Sequence, residues 1–271
     1  MTRKFLTAFL LLCCVVASIA AHDLFLRPDS YFLRPNSTVT VRLLNGSFQN
    51  SEGAVKRERM QDVSIVAPQG EVTHPPASDW RDEGEMSLLT MKTAGGGTYV
   101  VGLSTKPREI DLKAKEFNQY LAHDGLPDTL AARRKDNQLG KDVRERYSKH
   151  VRAILQVGDA RSDNYGRALG YPVEIIPRQN PYDLRVGQTL EVRCTLDGQP
   201  LVNQFVLANR ETKAKRLSRE ISARTDANGI ARFKLIGAGK WYVKMIHMKP
   251  SDEPGLNYES KWATITFEIK P

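Results

Sequence analysis

Cysteine is nearly absent: three in 271 residues, two of them adjacent in the leader (Cys13 and Cys14). A chain that keeps only Cys194 cannot close an internal disulfide, so burial of a core must hold the fold. Cys194 falls in the alternating run Leu190, Val192, Cys194, Leu196, where a small thiol packs as a hydrophobe. Also missing are a Gly-x-Ser-x-Gly elbow, a phosphate-cradling glycine loop, Cys-x-x-Cys and His-Glu-x-x-His. Those absences remove the common signatures of hydrolases, nucleotide enzymes, dithiol oxidoreductases and zincins. The expectation is therefore no enzyme, no catalytic residue and no cofactor-binding motif. The formal charge of +9 is spread through turns and surface segments, not gathered into a run. With no recognition motif beside it, this charge predicts no nucleic-acid partner.

One long apolar run is present. Arg3-Lys4 precedes Phe5–Val16, and Ala17-Ser18-Ile19-Ala20-Ala21 supplies small residues after it. This is the three-part pattern of a secretory signal peptide, predicted over residues 1–21. The run is short for a membrane span and no second one follows, so no stable span is expected after cleavage. A periplasmic or secreted chain beginning at or next to His22 results. Removing Arg3 and Lys4 from the +9 total leaves about +7.

Residues 22–109 read as an N-terminal β-sandwich. Val39–Leu43 and Asp62–Val66 alternate apolar and polar, Leu88–Met91 and Thr98–Leu103 are further strands, and Asn45-Gly46 and Gly95-Gly96-Gly97 punctuate them. Residues 110–158 read as a helical bridge. Leu126-Pro127-Asp128 resembles a helix start, and Val143, Tyr147, Val151 and Ile154 recur at helical spacing. Gly158 to Gly170 is the expected linker. Residues 171–271 return to strands, with Asp197-Gly198 and Asp226-Ala-Asn228-Gly229 as hairpin turns. The fold class is mainly β: two immunoglobulin-like or transthyretin-like sandwiches joined by a short helical bridge.

Among five histidines, His74, His123 and His150 read as surface or packing residues. His22 is different. As the first residue of a processed chain, its α-amine and ring Nδ1 close a six-membered chelate on one metal ion. An α-amine titrates near about 8 and an imidazole near about 6.5, so both are easily neutral. Nitrogen donors suit nickel, cobalt and copper. His247, at the end of the run Trp241–His247 with Met248 beside it, is the candidate further ligand. The competing reading is a non-catalytic module that holds a protein or cell-envelope glycan with exposed aromatics such as Trp80, Tyr165, Tyr171 and Tyr182. A copper enzyme built on an N-terminal histidine ranks lower.

His22-Asp-Leu-Phe-Leu-Arg-Pro28, the stretch Phe117-Asn-Gln-Tyr120-Leu with Glu145-Arg146-Tyr147-Ser148, Asn180-Pro181-Tyr182, Thr225–Gly229, Ile246-His247-Met248 and Trp262–Phe267 occur in that order. Together they resemble the exported proteins called domain of unknown function 4198, grouped with periplasmic components of cobalt and nickel uptake. The resemblance implies a β-rich exported protein that handles transition metal, with His22 and His247 as its metal positions. A membrane transport component is the implied partner, although this chain lacks the spans of integral transport subunits. Cleavage after Ala21 makes His22 the first residue, and cleavage after Ala20 leaves Ala21-His22 to chelate through amine, amide and ring. Mass spectrometry of the exported protein should find one of these two starts; a start several residues downstream of His22 would remove the chelate.

Overall fold

The computed structural model describes residues 22–271. The signal-peptide reading falls on 1–21, outside the described residues. The strands expected in both halves are present, and the protein is mainly β. A four-stranded antiparallel sheet runs in the order Asp23–Pro28, Thr38–Gly46, Met86–Lys92, Trp80–Glu83. A second four-stranded sheet centres on Thr189–Leu196, flanked by Val173–Pro177 and Ile230–Lys234.

Between them lies a ten-stranded sheet that draws strands from both halves of the chain. At its centre Val143–Val157 pairs in parallel with Tyr258–Ile269, from Glu145 opposite Tyr258 to Ala153 opposite Thr266. Residues 143–157 are thus a 15-residue strand, not the last helix of a bridge. Glu145 and Lys149, both buried, share one face with Val143, Tyr147 and Val151, and these charges hid the two-residue period. The helical part of 110–158 is confined to Ala114–His123 and Pro127–Lys135, the second entered through Pro127 as its sequence suggested.

Side-chain alternation assigns the two faces of the large sheet. Thr264 and Thr266 donate through Oγ1 to the carbonyls of Leu24 and Leu26 at 2.7 and 2.6 Å, so the first strand lies over that face. On the other face Arg152 pairs with Glu174 of the second small sheet, and the Tyr182 hydroxyl donates to the Ile154 carbonyl. The result is three layers whose main apolar cluster reaches from Leu24 to Ile269, with smaller clusters around Phe117 and Trp262 and around Phe25 and Tyr242. A continuous sheet replaces the expected division into two sandwiches flanking a bridge.

Two connections also depart from expectation. Asp197-Gly198 is the tight hairpin turn, with φ of 49° and 78°. Asp226–Gly229 instead carries the chain from Ile221–Arg224 in the large sheet to Ile230–Lys234 in the small one. Asp226 Oδ1 accepts from the Asn228 and Ile230 amides at 2.9 and 3.0 Å and so shapes that crossing. Residues 158–170 are no loose linker. Ser162 accepts from the Thr98 amide at 2.9 Å, and the Glu174 carboxylate accepts from the Leu169 and Gly170 amides at 2.9 and 3.0 Å.

Arg152 and Glu174 are 3% and 5% exposed, so removing one leaves the other charged and buried. Glu174→Ala should cost roughly 3–5 kcal/mol in urea unfolding, whereas Arg152→Met with Glu174→Leu should cost much less. Equal losses in the two proteins would contradict this.

Candidate metal centre at His22

His22 stands immediately before the first strand, its ring partly exposed. Ring Nε2 lies 3.5 Å from Glu52 Oε2, a carboxylate in the loop that follows Thr38–Gly46. The His22 carbonyl accepts from Lys149 Nζ, which also donates to Asn45 Oδ1 at 3.2 Å. Asp23 Oδ2, one residue on, receives Lys244 Nζ at 2.6 Å, and Lys244 reaches Asp124 Oδ1 at 3.0 Å. The other Asp23 oxygen is buried without a hydrogen-bond partner. His22 and Asp23 are therefore clamped to the large sheet by two buried lysines.

A carboxylic acid lies further along the same face. Glu145 Oε1 accepts from Ser260 Oγ and from the Tyr120 hydroxyl, the latter at 3.3 Å. Ser260 Oγ in turn accepts from Trp262 Nε1 at 3.0 Å. Burial pushes Glu145 up to about 7, against the hydrogen bonds from Ser260 and Tyr120, which favour the anion. Burial lowers Lys149 to about 8, opposed by the charge of Asp23. Burial also works against the Lys244 ammonium, but Asp23 and Asp124 outweigh it and hold this lysine charged.

His247 occupies the opposite face of the sheet. Its neighbour Ile246 is in register with Trp262, and Trp262 with Lys149, the lysine that holds His22. Adjacent strand residues point to opposite faces, so the pairing directs His247 away from His22. The ring lies in a groove of about 260 Å³ with Gln204, Phe205 and Met248, its Nδ1 3.4 Å from Gln204 Oε1. Burial and the nearby Lys261 and Lys249 lower its basicity. The structure does not bring the two predicted ligands together: strand register, invisible in one sequence, decides which face each histidine takes.

The remaining histidines divide. His74 and His123 are exposed, as expected. His150 is 3% exposed and bonded to Ser104 and Ser148 at 2.9 and 3.0 Å, so it is a core residue, not a partly exposed one. Cys194 is fully buried, as its strand pattern predicted. Among the described residues no three His, Cys, Asp or Glu side chains cluster as a ready-made metal cage. Glu52, Lys149 and Lys244 were missed in the sequence, because the partners that give each its place lie far along the chain.

Fold and geometry define a three-layer β protein in which His22 and Asp23 are anchored to one face of the central sheet. The family described as Domain of unknown function (DUF4198) matches residues 19–249, and the chain belongs to it. No curated protein matches. Among solved structures, the chain is similar to E. coli alpha-2-macroglobulin at 12% identity, TM-score 0.24, covering 93% of this chain and 14% of that one. It is similar to a pullulanase from Anoxybacillus sp. LM18-11 at 10% identity, TM-score 0.19, covering 83% of this chain and 24% of that one. The BSP domain of a biofilm associated protein shares 9% identity at TM-score 0.19, covering 90% of this chain and 30% of that one. This chain thus spans well under two thirds of each of those chains.

Among the described residues no helix is long and apolar enough to cross a membrane. The Glu145 carboxyl yields a pH test. A folded-state value near 7 against 4.5 unfolded means the native protein holds the extra proton, so this group's contribution falls as pH rises from about 4.5 to about 7. His150, lowered to about 4 by burial, acts in the opposite sense below pH 6.5. Comparison with Glu145→Gln cancels the His150 contribution. Urea unfolding should show Glu145→Gln gaining roughly 2–3 kcal/mol on wild type between pH 5 and pH 8; parallel profiles would exclude a raised Glu145.

Proposed function

We propose that the processed chain is a periplasmic transition-metal binding protein that captures or delivers nickel or cobalt, with copper a third candidate. The metal is cargo held by the His22 α-amine and ring Nδ1. The observation that carries the reading is the 3.5 Å approach of Glu52 Oε2 to His22 Nε2. In the metal-bound form the Glu52 carboxylate is to accept a hydrogen bond from Nε2. Nε2 then carries the proton, and Nδ1, the nitrogen that chelates with the residue's own amine, keeps its lone pair. A carboxylate behind a ligating imidazole both orients it and raises its basicity.

Anchoring supports the same reading. Lys149 on the His22 carbonyl and Lys244 on Asp23 fix the backbone before any metal arrives, which lowers the ordering cost of binding. Two nitrogens leave coordination positions open, which suits a protein that passes its ion to a membrane transport component. His247 takes no part in this centre.

Titration of processed protein with nickel, cobalt and copper salts tests the assignment. Wild type should bind one ion, His22→Ala should lose it, Glu52→Gln should weaken it roughly tenfold or more, and His247→Ala should leave it unchanged. Affinity should fall below about pH 6 as protons take the same nitrogens. Undiminished binding by His22→Ala, or loss in His247→Ala, would overturn the assignment.

A further inference from the structure

On the outer side of the second small sheet lies an open groove of about 540 Å³, on the opposite face of the central sheet from His22. Three exposed arginines line it, each from a different segment. Arg193 belongs to Thr189–Leu196, Arg178 follows Val173–Pro177, and Arg167 comes from the loop that crosses the sheet. Arg193 has no ion pair or side-chain hydrogen bond among the described residues. Arg178 is 3.9 Å from Glu191, but that carboxylate is taken at 2.8 Å by Arg232. Arg167 touches only a carbonyl, that of Gly70, at 2.6 Å.

Two carboxylates also border the groove, and one is already neutralised. Glu174 is buried against Arg152, so the lining carries three arginines and, among the described residues, one carboxylate without an ion pair, Asp163. The groove is built before any ligand arrives. Glu174 accepts the Leu169 and Gly170 amides, and Arg152 Nη1 donates to the Arg167 carbonyl at 3.1 Å. The buried ion pair thereby holds the loop that carries Arg167 and, two residues earlier, Tyr165. Tyr165 lines the groove half-buried and offers a ring against which the C–H face of a sugar can rest.

We propose that this groove binds an acidic oligosaccharide through its carboxylates. Planar guanidinium forks match carboxylates two bonds at a time. Arginines from three segments call for more than one anionic group on the ligand. The lining offers one aromatic ring and no deep apolar pocket, which suits a hydrated polyhydroxy acid. The site is independent of the His22 chelate, and either can fail alone.

Calorimetric titration of the processed protein with a galacturonic-acid hexamer, against neutral maltohexaose, tests the proposal. The acidic hexamer should bind, more weakly as salt rises, and maltohexaose should not. Arg178→Ala with Arg193→Ala, both exposed and outside the core, should reduce affinity roughly tenfold or more. Arg81→Ala with Arg219→Ala, which removes the same charge elsewhere, should leave it nearly unchanged. No binding of the acidic hexamer, equal binding of maltohexaose, or equal loss in the two double variants would overturn the proposal.

Discussion

The parallel pairing of Val143–Val157 with Tyr258–Ile269 is the contact on which the rest of the architecture hangs. Its two strands lie more than a hundred residues apart in the chain, and they turn the two β-rich halves into one sheet. Covering both faces of that sheet requires a layer on each side, which the two four-stranded sheets provide. The first strand then closes over Thr264 and Thr266, and this fixes where His22 comes to rest. A candidate centre at His22 is therefore a consequence of how the halves are joined.

Charges buried between the layers carry the same logic. Arg152 and Glu174 sit on one face of the central sheet, Lys149 and Lys244 on the other. Burying such groups gains little stability over apolar side chains of similar size. Each of these four, however, also bonds a main-chain group or tethers a neighbouring segment. Lys149 and Lys244 tie down His22 and Asp23, and Arg152 and Glu174 tie down the loop from Arg167 to Gly170. Position is what these ionic contacts supply.

Much of the fold was legible in the sequence. The alternation in Val39–Leu43 and Asp62–Val66, the β-rich run Thr98–Leu103 and the Asp197-Gly198 turn express local rules that tertiary contacts did not override. Val143–Val157 was illegible because it is buried on both faces while carrying Glu145, Lys149, His150 and Arg152. Residues that should have marked a solvent side are satisfied by partners inside the protein, and the surviving apolar positions happened to fit a helical turn. The candidate site divides the same way. His22 could be found because the chelate is local to one residue. Glu52 and the separation of His247 depend on a loop return and on strand register, which one sequence does not reveal.

The most direct measurement of the central claim is anomalous diffraction from crystals of the processed protein soaked in a nickel or copper salt. The account predicts one strong peak within bonding distance of the His22 α-amine and Nδ1, with Glu52 drawn onto Nε2. A dominant peak at His247 with none at His22 would contradict it.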